Sequence, residues 1–509
     1  MFSSIISGAL NGIECIGVKV EADVSNGLPS FSMVGFLGSE VKEAAERVRN
    51  GLRNAGVQLP AKRITINLSP ADLKKSGTAF DLPIAAALLA AVGEISTDSL
   101  KGVFMAGELS LNGKVNGICG VLSMASYARE AGMEYCVIPK VNAKEAAVMK
   151  GIKVIGVEDL SQMIGFMKHR DSIESEYINI EEIFQKDQEE GKDFSDILGQ
   201  VRAKRAMEIA AAGRHNILLI GPPGTGKSML AKRLPGILAP LDFEESLSIT
   251  KIHSIAGVLP ENTPILTTRP FLQPHHTTST YALAGGGKVP KPGIISLAHR
   301  GVLFLDELPE CKREALEILR QPLEDKEIHI SRVSGNYVFP AEIMVVAAMN
   351  PCKCGYYPDR NRCRCSQMDV AKYQGKISKP LLDRIDLYVE VEAVGYQELS
   401  RSEQHMGEKS TEIRKRVIAA GNIQRERYEG RRYSYNSELD EQGVYEFCSL
   451  QPPQRALMEK IFYKMQLSAR GYHRMLKVAR TIADLDGEEN ILEKHIKEAV
   501  SYRRYTMMD

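Results

Sequence analysis

The sequence carries almost no net charge and lacks a membrane-length apolar run, and its start does not indicate a signal peptide. Its 509 residues carry 65 Lys and Arg against 64 Asp and Glu, so any nucleic-acid site must be a local basic patch. No apolar run approaches the ~20 residues that span a bilayer, and the opening MFSSIISGAL has no basic segment before its apolar residues. We therefore expect a cytoplasmic protein without a membrane partner, and the length predicts about three domains.

A disulfide framework is not indicated either. The chain has nine cysteines, an odd number, and four of them fall within one short segment. This distribution favours a reducing compartment and a metal or redox site.

What the sequence does contain is a complete phosphate-binding motif at 221–228. The segment matches G-x-x-x-x-G-K-[S/T], between an apolar run at 216–220 and a plausible helix. Glycines let backbone N–H groups surround a polyphosphate, and the helix N-terminus adds positive partial charge. Lys227 is placed for the β- and γ-phosphates and Ser228 for Mg²⁺. The predicted nucleotide-binding residues are Gly221, Pro222, Pro223, Gly224, Thr225, Gly226, Lys227 and Ser228.

Polar residues follow two further apolar runs. In GVLFLDE (301–307) two carboxylates end a predicted buried strand, where ligands of α/β sheets bind. Asp306 is predicted to hold Mg²⁺, and Glu307 to polarise the attacking water. Asn350 ends the next apolar run, and it is either a sensor of the γ-phosphate or a turn-forming Asn before Pro351.

Two arginines are candidates for completing the site. Arg384, in LLDRID, precedes a predicted strand; it is either a finger that reaches a neighbouring subunit's γ-phosphate or the partner of Asp383 or Asp386. Arg470 begins a predicted carboxyl-terminal helix and is a candidate nucleotide contact, with Arg474 one turn later as the alternative.

The cysteine segment NPCKCGYYPDRNRCRCS has the spacing C-x-C-x₈-C-x-C. Four thiolates in one loop could form a closed tetrahedral Zn²⁺ site of structural type; the alternative is reduced thiols or a redox-sensitive pair. Interleaved basic and tyrosine residues also make the loop a candidate nucleic-acid contact. The predicted ligands are Cys352, Cys354, Cys363 and Cys365.

The first 167 residues alternate predicted strands and helices. Asp81 is expected to cap a helix whose residues 84–92 are apolar nearly all round, and Asn112-Gly113 predicts a hairpin turn. The segments 67–85 and 107–132 resemble the proteolytic domain of Lon. The resemblance places Ala79 and Leu122 where that family has its catalytic serine and lysine, so we expect a scaffold or a module that binds an unknown protein partner.

Longer segments identify the family. The stretches RPFLQPHHTTSTYALAGGG (269–287) and KPGIISLAHRGVLFLDELPE (291–310) resemble magnesium-chelatase-like AAA+ proteins, and nearly the whole chain resembles their YifB/ComM family. The resemblance implies an α/β fold: a Lon-protease-like (ribosomal S5 domain 2-like) domain at 1–167, a charged linker at 168–196, an AAA+ ATPase core with a parallel sheet at 197–395, and a helical lid at 396–509.

The same resemblance implies activity. It predicts ATP and Mg²⁺ as cofactors, a homo-oligomeric ring that is a hexamer, and DNA helicase or branch-migration activity in natural transformation. Segments 281–293, with a mobile glycine hinge, and 327–339, a hairpin, would either project into the pore and grip DNA phosphates or be ordinary surface loops. Apart from the resemblance, adjacent residues of an extended chain point to opposite sides, so His275 and His276 are expected to have structural or interface roles. Two alternatives stay open: a chelatase-like ATPase that remodels a protein or aids metal insertion, and a nucleotide-gated scaffold.

Overall fold

The computed structural model describes residues 1–186, 192–332, 335–393 and 407–503. It has a mixed α/β region, a second α/β region with a parallel sheet, and a helical carboxyl-terminal region. No helix in these ranges is long and apolar enough to cross a membrane. The predicted boundary at 395–396 and Ser334 of the predicted hairpin turn lie outside the described residues.

The first region is built on a seven-stranded sheet. Its strands are β1 (Phe2–Asn11), β2 (Glu14–Ser25), β3 (Ser30–Val34), β4 (Arg63–Ser69), β5 (Val103–Met105), β8 (Tyr135–Pro139) and β9 (Lys153–Val157). The strands β6 (Glu108–Leu109) and β7 (Val115–Asn116) form a separate hairpin. The strand order is β3-β4-β2-β1-β5-β8-β9. β2 is antiparallel to β1 and β4, and the other neighbours are parallel. The predicted hairpin around Asn112 is confirmed by the pairing of β6 with β7.

Helices cover this sheet on both faces. They are α1 (Ser39–Lys42), α2 (Ala44–Asn54), α3 (Asp81–Val92), α4 (Val121–Glu130), α5 (Ala143–Ala146), α6 (Leu160–Lys168) and α7 (Ile180–Lys186). The last of these is the short helix predicted within the charged segment 168–196.

Helix α3 is buried on every side, as its apolar sequence predicts. Residues 84–91 are each at most 1% exposed. The prediction that Asp81 caps the helix is wrong, because Asp81 is the first helical residue and Phe80 holds the cap position. The Asp81 carboxylate instead lies 2.6 Å from Arg47 and accepts the N–H of Leu109 at 3.1 Å. Burial raises its pKa, so the ion pair compensates a desolvated charge.

The second region holds a five-stranded sheet in which every pair is parallel. Its strands are β10 (Ile217–Ile220), β11 (Phe271–Leu272), β14 (Val302–Leu305), β17 (Met344–Met349) and β18 (Leu387–Glu390), in the order β11-β14-β17-β10-β18. Strands β10 and β17 are buried along their whole length, which their uninterrupted apolar sequences require. All five carboxyl ends therefore lie along one edge.

Among the described residues, two hairpins and nine helices surround this sheet. The hairpins are β12 (Gly285–Gly286) with β13 (Lys291–Pro292), and β15 (Glu327–Arg332) with β16 (Gly335–Pro340). The helices among the described residues are α8 (Val201–Gly213), α9 (Lys227–Arg233), α10 (Phe243–Ala256), α11 (Thr280–Ala284), α12 (Ile294–Leu297), α13 (Arg313–Ile318), α14 (Pro322–Asp325), α15 (Gln367–Gln374) and α16 (Lys379–Leu382).

The mobile hinge that the sequence suggested at the glycines 285–287 stays a prediction. The glycines are hairpin residues, and a Cβ at Gly285 would lie 2.3 Å from the carbonyl oxygen of Lys291. Glycine is therefore needed there because two backbone segments approach closely.

The carboxyl-terminal region is helical. Its helices are α17 (Ser410–Arg427), α18 (Glu441–Phe447), α19 (Pro452–Lys464), α20 (Ala469–Leu485) and α21 (Glu493–Ser501). Arg427 and Arg480 both pair with Asp484, which is 2% exposed, so α17 and α20 are joined by a buried ionic cluster.

The first two regions touch through a buried polar contact. Ser254 of α10 donates its hydroxyl to Glu145 at 2.5 Å and accepts the N–H of Gly120 at 2.9 Å. Glu145 also accepts the N–H of Leu122 at 2.9 Å, and burial raises its pKa. This carboxyl therefore links the start of α4 to the second region.

Candidate functional site

The phosphate-binding motif forms the loop between β10 and α9. Gly224 and Gly226 have φ of 78° and 86°, and a Cβ at either position would meet nothing within 4 Å. Positive φ turns the peptide planes so that N–H groups face the inside of the loop, and the open space leaves room for a polyphosphate. The loop thus fits the group that its sequence predicts.

Lys227 is held at the centre of this loop. Its Nζ donates to the carbonyl oxygens of Gly221 at 2.7 Å and Pro222 at 2.8 Å, and to Oδ1 of Asn350 at 3.2 Å. Burial lowers the pKa of the ammonium, with Asp306 acting in the opposite direction. A desolvated cation with only backbone and amide partners is poised to donate hydrogen bonds to anionic oxygens.

Three neighbouring strands supply the groups around Lys227. Asp306 directly follows β14, and Asn350 directly follows β17. The phosphate loop directly follows β10. Ser228 Oγ donates to Oδ2 of Asp306 at 2.9 Å. A hydroxyl and a carboxylate at this separation are the oxygen ligands that Mg²⁺ prefers beside phosphates. The structure therefore brings together Lys227, Ser228, Asp306 and Asn350.

Glu307 lies beside this group, and its backbone N–H donates to Oδ1 of Asp306 at 3.0 Å. Its φ of 50° is left-handed, and its side chain is 59% exposed. Its Oε2 lies 3.6 Å from Nδ1 of His276. The rings of His275 and His276 have centroids 4.1 Å apart, so the expectation that they point to opposite sides is wrong. Both line a cleft of about 360 Å³ with Asp306 and Glu307.

The position of His276 was missed at the sequence level. The histidines precede Glu307 by about 30 residues and reach it only because β11 and β14 are adjacent and parallel. Predicting the contact between His276 and Glu307 would have required the order of strands in the sheet, which sequence patterns do not give.

Arg384 lies at the other edge of the parallel sheet. It precedes β18, and its carbonyl accepts from the side chain of Asn216, which precedes β10, at 3.0 Å. A four-residue strand spans about 13 Å, so Arg384 is remote from its own phosphate loop. Its guanidinium is 7% exposed and pairs with Glu324, neither Asp383 nor Asp386.

Two of the three arginines of α20, Arg470 and Arg474, are near Arg384. Arg474 pairs with Asp386 at 3.0 Å. Burial lowers the pKa of Arg384, and the positive charges of Arg470 and Arg474 lower it further. Arg470 is exposed in the first turn of the helix. Arg384, Arg470 and Arg474 therefore share one edge of the sheet, opposite the phosphate loop of the same chain.

The four cysteines of the predicted metal site converge. Cys352 Sγ lies 3.3 Å from Cys354 Sγ and 3.7 Å from Cys363 Sγ, and all four sulfurs, with Cys365, lie within 4.8 Å of one another. Four sulfurs at ~2.3 Å from a tetrahedral zinc ion would be about 3.8 Å apart. The backbone N–H of Tyr356 lowers the pKa of Cys354 to about 6, which favours the thiolate that metal binding needs. The geometry fits a divalent metal.

Comparison with known proteins agrees with this arrangement. Three family models match: "Magnesium chelatase, subunit ChlI" over residues 193–399, "Subunit ChlI of Mg-chelatase" over 20–142, and "Magnesium chelatase, subunit ChlI C-terminal" over 407–503. The uncharacterized protein YifB of Escherichia coli is 41% identical over 503 residues, which are 98% of this chain and 97% of YifB. Competence protein ComM of Haemophilus influenzae is 42% identical over 501 residues, 98% of this chain and 97% of ComM. The chain belongs to the YifB/ComM family of magnesium-chelatase-like AAA+ proteins.

A more distant likeness covers about a third of this family member. An uncharacterized MCM-type protein of Methanocaldococcus jannaschii is 31% identical over 172 residues, which are 34% of this chain and 19% of that protein.

In this family member the Lon-like region has no nucleophile at the position that the resemblance assigns to serine. Ala79 is buried there, and Leu122, at the lysine position, is 0% exposed. Lys75 is buried too, and its Nζ donates to the carbonyl of Pro70. Within the described residues, these positions carry none of the chemistry of a serine–lysine dyad.

Proposed function

We propose that this protein is an ATP-hydrolysing ring motor that acts on single-stranded or branched DNA, in recombination or natural transformation. The observation that carries the ATPase part is the joining of three strand ends: Lys227 bonded to Asn350, and Ser228 bonded to Asp306. The name of the Haemophilus influenzae relative supports the process, since that protein is a competence protein.

Each residue of the site has a proposed role in hydrolysis. ATP and Mg²⁺, when bound, supply the phosphoanhydride to be cleaved and the cation that offsets its charge. Lys227 binds phosphate oxygens, and Ser228 with Asp306 holds the cation. Glu307, exposed to the cleft and next to His276, accepts a proton from the attacking water. Asn350 orients that water.

The placement of Arg384 supports the proposed ring. An arginine about one strand length from its own phosphate loop serves as a finger only in the site of a neighbouring subunit. Head-to-tail contacts of this kind close into rings, and a hexamer is the proposed assembly. In the ring, Arg470 and Arg474 face the same neighbour, so Arg470 contacts nucleotide there and not in its own chain.

Two hairpins are the proposed DNA contacts. Lys288 and Lys291 are exposed on the first, and Arg332 ends a strand of the second. The hairpins meet, since a Cβ at Gly286 would lie 3.3 Å from Nη2 of Arg332. A joint basic surface of this kind attracts the phosphate backbone.

We also propose that Cys352, Cys354, Cys363 and Cys365 hold one structural Zn²⁺, because a closed tetrathiolate set leaves no open coordination position. A chelatase-like role, remodelling a protein or aiding metal insertion, is the second candidate, favoured by the descriptions of the matching family models. The third is a nucleotide-gated scaffold, which the loss of a dyad from the Lon-like region favours.

ATPase rates measured with and without forked DNA, over a range of salt concentrations, separate these candidates. The motor predicts stimulation by DNA that declines as salt rises, because counterion release drives the contact. A rate that no DNA changes would rule out the DNA motor, and an absence of ATPase activity would leave only the scaffold.

A further inference from the structure

The cysteine loop packs directly against the phosphate loop. Gly355, which follows the first cysteine pair, has a φ of 89°, and a Cβ built on it would lie only 2.6 Å from Cδ of Pro223. Pro223 is the third residue of the phosphate-binding motif. The backbone of the cysteine loop therefore touches the backbone segment that is expected to surround the nucleotide.

The cysteine loop also begins next to Asn350, the proposed sensor of the γ-phosphate. Asn350, Pro351 and Cys352 are consecutive, so only Pro351 separates the amide that bonds Lys227 from the first sulfur. Helix α15, which begins just after Cys365, returns to this point: its buried Gln374 donates to the carbonyl of Pro351 at 2.9 Å. The loop is thus fixed at both ends beside the nucleotide site.

We infer that the metal held by the four cysteines is a structural part of the nucleotide site, an inference that rests on the proposed zinc and ATPase functions. The metal holds Gly355 against Pro223 and Asn350 beside Lys227. Without it, no shared ligand holds the sulfurs of Cys352, Cys354 and Cys363 at 3.3–3.7 Å from one another, and the loop relaxes. Losing the metal therefore weakens nucleotide binding and slows hydrolysis, although no cysteine touches the nucleotide.

The variant Gly355→Ala tests the contact while leaving all four ligands in place. Because the cysteines are unchanged, we expect full zinc content. The added Cβ pushes against Pro223, so we expect turnover and affinity for a fluorescent ATP analogue each to be reduced about tenfold or more. Gly430→Ala is the matched control, because Gly430 also has positive φ, 72°, but a Cβ there meets nothing within 4 Å. Wild-type affinity and turnover in Gly355→Ala would overturn the inference.

The double variant Cys354→Ser, Cys365→Ser tests the metal itself, with Cys119→Ser, an exposed cysteine of the first region, as control. We expect a protein with native circular dichroism and oligomeric state, no zinc by elemental analysis, and affinity and turnover reduced about tenfold or more. A folded, zinc-free variant with wild-type affinity and turnover overturns the coupling.

The zinc assignment and the ATP-hydrolysing motor, on which the inference rests, can each be tested independently of the inference. A wild-type protein purified without chelators that contains no zinc overturns the zinc assignment, and one that hydrolyses no ATP overturns the proposed motor. In that second case the affinity measurement on Gly355→Ala still decides the coupling, because it needs only nucleotide binding.

Discussion

Lys227 and Asn350 are joined across two neighbouring strands: the ammonium of Lys227 donates to the amide oxygen of Asn350 at 3.2 Å. The two residues are 123 positions apart in the sequence, and the parallel pairing of β10 with β17 places both at the same edge. The phosphate-binding residue and the proposed sensor therefore form one unit, so changes to them should separate binding from hydrolysis.

Replacing Lys227 with Ala should abolish nucleotide binding, because the loop then loses the cation at its centre. Asn350→Ala should keep binding close to wild type and lower turnover about 10²-fold, since only the orientation of the water is lost. Binding of a fluorescent ATP analogue and single-turnover hydrolysis measure the two effects. Equal loss of binding in both variants would contradict the sensor role.

Glu307→Gln should bind ATP normally and lose about 10²–10⁴-fold in turnover, the usual contribution of a general base. Glu310→Gln is the control: it is three residues away and its carboxylate bonds Lys376 at 3.0 Å, outside the cluster. Phosphate release measures both. Normal hydrolysis by Glu307→Gln would show that another group activates the water.

Arg384→Ala should lower turnover by about 10³-fold or more, the effect of losing an arginine finger. Because the finger acts across a subunit boundary, mixing inactive Arg384→Ala subunits with inactive Glu307→Gln subunits should restore part of the activity. Mixed rings contain interfaces with an intact Glu307 on one side and an intact Arg384 on the other. No recovery, in mixtures that gel filtration shows to be co-assembled, would contradict the assignment.

His299 should make stability depend on pH. Burial is the main cause that lowers its pKa to about 3, and its Nδ1 accepts the N–H of Glu342 at 3.1 Å. The unfolded chain has the ordinary value near 6.5, so the contribution is complete above about pH 6.5 and declines as pH falls towards 3, by roughly 5 kcal/mol at most. Thermal unfolding across this range should show a weaker pH dependence in His299→Asn than in wild type or in His169→Asn, a change at an exposed histidine. Identical profiles for all three would count against the role of His299.

Lys288→Ala should weaken DNA binding for all sequences alike and make the salt slope shallower by about one unit, as the loss of one phosphate contact requires. Lys101→Ala, an exposed lysine paired with Asp98 in the first region, is the control. Fluorescence anisotropy of labelled single strands gives both slopes. An unchanged slope in Lys288→Ala would remove this hairpin from the DNA surface.

The parts of the site that sequence predicted are those encoded within a few residues. The phosphate loop, with its flanking strand and helix, and the carboxylates after β14 are local patterns of apolar runs and glycine. The all-round apolar character of α3 likewise predicted its burial. Such patterns depend only on residues close in the sequence. The phosphate loop, the carboxylates after β14 and the buried helix α3 therefore lie in the structure as the sequence predicted.

Long-range relationships could not be obtained in this way. Asp81 looked like a cap because its partner Arg47, 34 residues earlier, is invisible to a local pattern. The contacts of Arg384 with Glu324 and of His276 with Glu307 depend on which elements the fold places side by side. The packing of Gly355 on Pro223 depends on a loop conformation that spacing alone does not specify.

The central claim, that ATP hydrolysis at this site drives movement on DNA, is tested most directly by strand displacement. A forked duplex with one labelled strand is incubated with the wild-type protein or Glu307→Gln, with and without ATP. The account predicts release of the labelled strand by the wild type only when ATP is present, and none by Glu307→Gln, which still binds the fork. Release without ATP, or release by Glu307→Gln at the wild-type rate, would contradict it, as would a wild type that hydrolyses ATP on the fork and never releases the strand.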